Sequence, residues 1–228
     1  MLARALSHPH SLVFAQTFVS TVRLYRREPS AAQEAAESVI ALLAEHGFAD
    51  QLDLATMQRG WAMAQQERHE EGIVQIREGL AASRAAGREL VQQNSLCLLG
   101  EAYMEMGRLD DGLSALTEAL AAADEHENRG SEAEIHRLKG ELLLKQNDSN
   151  VAEAQICFER AIEVARRQSA KSWELRATTS LARLLASQGR RDEAHAMLAE
   201  IYGWFTEGFD TADLKDAKAL LDLLGSQS

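Results

Sequence analysis

The stretch Ser95–Ala121, SLCLLGEAYMEMGRLDDGLSALTEALA, decides the fold. It sets Gly100 in the middle of a run of helix formers, turns at Gly107, and resumes with Gly112, Leu116 and Ala119. A glycine inside a helix costs about 1 kcal/mol against alanine, so it calls for a packing reason. The simplest reason is the close approach of a neighbouring helix. A small, a large and a small residue at Gly112, Leu116 and Ala119 then mark one buried helical stripe.

Outward from this stretch the pattern recurs. Gly60 and Gly140 lie forty residues to either side of Gly100, and Ala182 lies forty-two beyond Gly140. Each anchor is followed by a second small residue (Gly72, Gly112, Ala154, Ala194), then by a large one (Ile76, Leu116, Phe158, Leu198), then by Gly79, Ala119, Ala161 or Ile201. The spacing stretches by two residues only where the polar turn Asn147–Asn150 intervenes. Self-similarity at a fixed period of this size is the mark of a helical repeat array.

Each unit reads as two helices. The first helices are expected at 11–27, 51–66, 91–106, 131–146 and 172–188, and their partners at 30–46, 69–86, 109–126, 150–168 and 191–204. Turn signals at Glu28-Pro29-Ser30, Gly87, Gly107, Gly130 and Gly189 agree, and Asp148 to Asn150 offers capping side chains. No window alternates like a strand. The expected architecture is an all-α solenoid of about five helix pairs forming one domain over 1–228. Its repeats fall near 11–47, 51–87, 91–127, 131–168 and 172–205. A capping helix near 210–224 sets Leu214, Ala217, Leu220, Leu221 and Leu224 on one side. Arrays normally end in such an atypical unit.

Composition and charge narrow the function. The chain has 228 residues, 46% of them hydrophobic and 26% charged, with a formal net charge of -11. That charge repels phosphate backbones and anionic lipid, so neither nucleic acid nor a membrane is an expected partner. Cys97 and Cys157 lack the spacing of a zinc or CxxC site and read as buried thiols. The opening MLARALSHPHS breaks at polar residues and Pro9 before a signal sequence forms, and Ser7–Val22 is too polar to span a bilayer, so a cytoplasmic location is expected. GxxxxGK[ST], GxSxG, HExxH and EF-hand patterns are missing, so neither an enzyme, a cofactor nor a metal is expected. His8 and His10 flank a proline in an expected turn. Glu70-Glu71 and Asp110-Asp111 stand where a helix N-terminus favours acids, and Lys145 and Arg166-Arg167 where a C-terminus favours bases.

The segment Leu99-Gly100-Glu101-Ala102-Tyr103, with Ala119, resembles the core of the tetratricopeptide (TPR) repeat. The period of forty exceeds that family's thirty-four, and the family's terminal proline is missing. The resemblance implies a right-handed solenoid whose first helices line a concave ligand surface. A narrower resemblance runs through Gly47-Phe48, Arg59-Gly60-Trp61-Ala62, Arg137 to Leu144, Ala165 to Gln168, Ala170-Lys171-Ser172 and Tyr202 to Thr211. These segments are similar to the C-terminal TPR-like region of large bacterial signalling ATPases of the kind that carry adenylate/guanylate cyclase-type domains. It implies a regulatory tail, with Leu2 to Leu6 read as the end of an earlier helix of a longer array.

On the implied concave face, helical spacing places Met57, Trp61, Asn94, Glu101, Glu105, Arg137, Glu141, Lys145, Arg176 and Arg183. Arg137, Glu141 and Lys145 form either an intrahelical ion-pair ladder or, with Arg176 and Arg183, the basic part of a polarised groove. Trp173 and Trp204 are expected in core or cap packing, and Trp61 in either core or groove. The expected function is a protein- or peptide-binding regulatory scaffold, whose partner could be other domains of the same parent or a second copy. The alternative is a sensor of a small inducer molecule.

Overall fold

The computed structural model describes residues 8–48, 50–88, 91–125 and 129–226. Among them are eleven α-helices and no strand. The chain groups into two compact units, Met1–Asn128 and Arg129–Ser228.

Unit 1 holds three helix pairs: α1 (Pro9–Tyr25) with α2 (Pro29–His46), α3 (Leu52–Ala64) with α4 (His69–Ala85), and α5 (Gln92–Glu105) with α6 (Leu109–Glu125). Unit 2 holds α7 (Glu132–Gln146) with α8 (Val151–Arg167), α9 (Lys171–Ser187) with α10 (Arg191–Tyr202), and then α11 (Ala212–Gly225). Every helix expected among the described residues is present, with ends within two residues of those read from the sequence. The expected earlier helix at Leu2–Leu6 lies outside the described residues.

The periodic glycines sit where two helices of a pair touch. A Cβ on Gly60 would stand 2.7 Å from the Gly72 carbonyl oxygen, and one on Gly72 would meet the Gly60 oxygen and, at 2.8 Å, the Ala64 nitrogen. Gly100 faces Leu116 at 2.6 Å, and Gly140 faces the Phe158 ring at 2.5 Å. One anchor carries no glycine. Ser20, forty residues before Gly60, is fully buried and donates through Oγ to the Ala32 carbonyl at 3.2 Å. Ala32, Ala36 and Val39, at the equivalent offsets, are also fully buried. The first pair therefore belongs to the same repeat.

The turn from first to second helix repeats as well. Seven residues after four of the five anchors stand Arg27, Glu67, Gly107 and Gly189, with φ between 57° and 82°. Glycine adopts this left-handed conformation without a Cβ clash, whereas Arg27 and Glu67 carry its steric cost. After Gly140 the two inserted residues replace that turn by a 3₁₀ turn, Asp148–Asn150. There the Asn147 side chain caps the turn by accepting from the Ser149 N–H at 2.9 Å, and the Asn150 side chain donates back to the Leu143 carbonyl near the end of α7 at 3.3 Å.

His8-Pro9-His10 is not a free turn. Pro9 opens α1, where its missing N–H costs nothing, and His8 Nδ1 accepts from the Ser11 N–H at 3.2 Å. His10 pairs with Asp50 at 2.9 Å. Cys97 and Cys157 are buried and not joined in a disulfide, and burial pushes the Cys157 thiol up. Trp173 is partly buried against Ala133, Val164 and Ala165. Trp204 departs from expectation: it is 58% exposed, because α10 has ended at Tyr202 and the residue has left the buried helical stripe.

Candidate functional site

Within each unit, neighbouring first helices pack on one another: α1 on α3 and α3 on α5, and in unit 2 α7 on α9 and α9 on α11. Counting from the anchors (Ser20, Gly60, Gly100, Gly140, Ala182), one stripe recurs six and two residues before and one and five after. In unit 1 it reads Phe14, Phe18, Thr21, Tyr25 on α1, then Leu54, Gln58, Trp61, Gln65 on α3, then Asn94, Leu98, Glu101, Glu105 on α5. In unit 2 it reads Glu134, Leu138, Glu141, Lys145 and then Arg176, Ser180, Arg183, Ser187.

Side chains along this stripe tie the first helices together. Gln58 donates to Thr21 at 2.8 Å, and Trp61 Nε1 donates to Glu101 at 2.7 Å. Tyr25 reaches Asn94 in a long hydrogen bond of 3.5 Å, spanning from α1 to α5. In unit 2 Ser180 donates to Glu141 at 2.6 Å. Thr21–Gln58 and Glu141–Ser180 join the same two register positions in different repeats. Gln58 Oε1 is buried without a partner.

The stripe of unit 2 closes into a buried ion network. Arg137 grips Glu134 through two hydrogen bonds, 2.7 and 2.9 Å. Arg176 donates to the same carboxylate at 3.1 Å, and to Asp213, on the first turn of α11, at 2.7 to 3.2 Å. The Arg176 guanidinium also lies 4.7 Å from the centre of the Trp173 ring. Burial alone would raise the Glu134 carboxyl, but Arg137 and Arg176 overcome it and hold it at about 2. Burial likewise opposes the Arg176 charge, and Glu134 and Asp213 reverse that, raising its pKa above the ordinary range. Nearby, Glu132 is buried with Arg129, Arg160, Arg167 and His136 at 3.7 to 4.0 Å.

These placements revise the reading of several expected surface residues. Met57 is fully buried and covers Gly79, whose missing side chain leaves it room. Trp61 is a core residue at 2% exposure, its indole satisfied by Glu101. Arg137 and Arg176 are nearly buried, because a desolvated guanidinium must be paired and here the partners are Glu134 and Asp213. The expected ladder is present only in part: Arg137 contacts Glu141 at 3.4 Å but holds Glu134 more closely. Asn94 and Glu101 are partly exposed, and Glu105 and Lys145 are exposed. Arg183 is half-exposed, 3.9 Å from Asp216.

One exposed feature was not singled out as a site. Phe14, Phe18 and Val22, spaced four residues apart, and Tyr25 all face outward from α1, opposite its buried residues Val13, Thr17, Ser20 and Leu24. The signal was present as a charge-free run with large apolar residues at helical spacing. Two cavities of unit 2 lie elsewhere. One of about 420 Å³ includes Ile162, Leu181, Leu185 and Met197, and one of about 400 Å³ is lined by Tyr202, Phe209, Leu214 and Lys218.

No protein-family model and no curated protein matches the chain. Solved structures do. The Rap conjugation gene regulator of plasmid pLS20, in complex with the Phr* peptide, superimposes with a TM-score of 0.78 at 17% identity, over 100% of this chain and 62% of that one. NprR in complex with its cognate peptide NprX gives 0.71 at 13%, over 95% and 60%. The signal transduction ATPase PH0952 from Pyrococcus horikoshii, a protein with a tetratricopeptide repeat sensor, gives 0.59 at 12%, over 93% and 33%. The chain thus spans less than two thirds of each of these proteins. At these identities the likeness establishes the fold: an all-α, TPR-like helical solenoid.

Proposed function

We propose that the chain is a non-catalytic peptide- or protein-binding module that regulates through its first-helix stripe. The observation that carries this reading is the stripe of unit 1, where exposed aromatic and acidic side chains stand at repeated register positions on helices fixed by side-chain hydrogen bonds. Such a surface is open and elongated, which suits an extended segment better than a compact metabolite. The structures that resemble it include two regulators solved with peptides.

A finer reading rests on the PH0952 likeness and the segments similar to signalling ATPases. In it the chain is the C-terminal sensor or autoregulatory region of a cytoplasmic bacterial signalling protein, residues 1–228 act as one array, and the partner is another domain of the same parent. Panning a random peptide library against residues 1–228 tests the first statement. A selected peptide at a hundredfold excess over its Kd should stabilise the chain by about 2.7 kcal/mol, read as a rise in Tm. Failure to select any peptide, with a rise in Tm caused by a small metabolite instead, would turn the reading to inducer sensing. Immunodetection of the native gene product tests the second: a band at 25.1 kDa, the mass of this chain, would sink the ATPase-tail reading.

A further inference from the structure

We infer that the stripe of unit 1 docks a peptide bearing a bulky apolar side chain together with a positive charge. The inference rests on the peptide-binding reading above and specifies the chemistry of the ligand.

The apolar requirement comes from α1. Phe14, Phe18, Val22 and Tyr25 are 54, 55, 53 and 39% exposed, a contiguous patch on the order of 400 Å², within the range in which surface patches tend to be functional. The patch is held in place. The Phe14 and Phe18 rings pack at 4.8 Å between centres, and Tyr25 is tied to Asn94 on α5. That tie shows that the patch opens onto the side where α1, α3 and α5 run side by side, not onto an isolated outer surface.

The charge requirement comes from the rest of the row. No basic residue occupies any of the twelve stripe positions of α1, α3 and α5. The acids are confined to α5, where Glu101 is partly exposed and Glu105 is exposed. Glu101 already accepts from Trp61, but Glu105 stands exposed at the same end of the row, so an acidic ligand would be repelled there and a basic one attracted. A second copy of the chain, also at net charge -11, suits the acidic end poorly. A peptide with an aromatic or large aliphatic residue and a lysine, arginine or free amino terminus matches both ends.

The test is peptide selection on the full chain, followed by fluorescence anisotropy of the enriched peptides with three variants. Enriched sequences are expected to combine an aromatic or large aliphatic residue with a basic one. Phe18→Asp should weaken binding at least tenfold. Glu105→Lys should weaken it severalfold and flatten its salt dependence. Glu45→Lys, exposed on α2 and outside the stripe, should leave it unchanged. Because Phe18 is exposed, its variant should melt as the parent does. Should it melt earlier, Phe18→Ala serves with the same expected direction. Enriched peptides that are acidic, or that ignore Phe18 and Glu105, would overturn this inference while leaving peptide binding standing. An assay that enriches nothing, with a dimer in light scattering that Phe18→Asp dissolves, would assign the patch to a second copy and overturn both.

Discussion

In unit 1 the first helices are joined by neutral donors and a single partly exposed acid: Gln58 to Thr21, Trp61 to Glu101, Tyr25 to Asn94. In unit 2 the same stripe is joined by charges out of water, Glu134, Arg137, Arg176 and Asp213, with only Ser180 and Glu141 repeating the motif of unit 1. One packing scheme therefore carries two kinds of polar contact. A neutral hydrogen bond contributes about 1 kcal/mol and can be lost singly. A buried ion network behaves differently, because removing one member leaves the others charged and desolvated. Unit 1 leaves Phe14, Phe18 and Glu105 of this stripe exposed. In unit 2 the network uses its charges internally and fixes where α11 lies.

The sharpest way to break this contrast is to truncate the same register position in each unit, six residues before the anchor. Arg176→Ala strips Asp213 of its bidentate partner and leaves Glu134 with Arg137 alone, and should cost about 3–5 kcal/mol. Asn94→Ala loses the long, partly exposed hydrogen bond from Tyr25 and strands no buried charge, and should cost about 1 kcal/mol. Urea unfolding of the full chain measures both. Equal costs would mean that the network of unit 2 is not the desolvated assembly described above.

Acid should separate the units next. The Glu134 carboxyl is held at about 2 in the folded chain against an ordinary 4.5, so its contribution is complete above 4.5 and is lost as pH falls toward 2, on the order of 3 kcal/mol. His136 acts in the same direction at higher pH. Burial lowers its pKa, with Arg160 and Lys139 adding to that and Glu132 opposing, so protonation favours the unfolded chain as pH falls through 6.5 and below. Pulsed hydrogen exchange should find α7 and α9 losing protection at a higher pH than α3 and α5. Simultaneous loss in both units would count against the assignment of acid sensitivity to Glu134 and His136.

Sequence pattern reached the repeat because its signal is local. Gly60, Gly100 and Gly140 are conspicuous where alanine would be preferred, and the helix ends follow from turn residues nearby. It missed the first anchor because Ser20 meets the same demand for small volume without looking like a glycine. The site was less legible. Spacing placed Arg137, Glu141 and Arg176 on related faces, but the burial of Arg176 depends on Asp213, which lies 37 residues away in the non-repeating cap. Met57 failed for the opposite reason: only the contact with Gly79 shows that its register points into the pair. The α1 aromatics carry no decisive signal: Phe14 and Phe18 lie in an uncharged run whose apolar residues read equally well as core, and only their exposure separates the two.

The glycines offer the finest division between the units. At Gly72 a new Cβ would press on the Gly60 carbonyl and the Ala64 nitrogen, both main chain, so two helix backbones must part. At Gly140 the three nearest atoms all belong to the Phe158 ring, a side chain rather than main chain. Each substitution by alanine also gains about 1 kcal/mol of helix propensity. For Gly72→Ala, overpacking against backbone should outweigh that gain, leaving a net loss of about 1–3 kcal/mol. For Gly140→Ala the two effects should nearly cancel, within about 1 kcal/mol. In a chain of this length each 1 kcal/mol moves Tm by roughly 2–4 °C, so calorimetry resolves the difference. A stabilised Gly72→Ala would show that the first and second helices of unit 1 can separate without cost, and that its glycines are not kept by close approach. The expected loss would mean that the α3–α4 pair relies on backbone contact where the α7–α8 pair, with Ala154 in place of Gly72 and a phenylalanine filling the gap, relies on a side chain, as the α5–α6 pair does at Gly100 and Leu116.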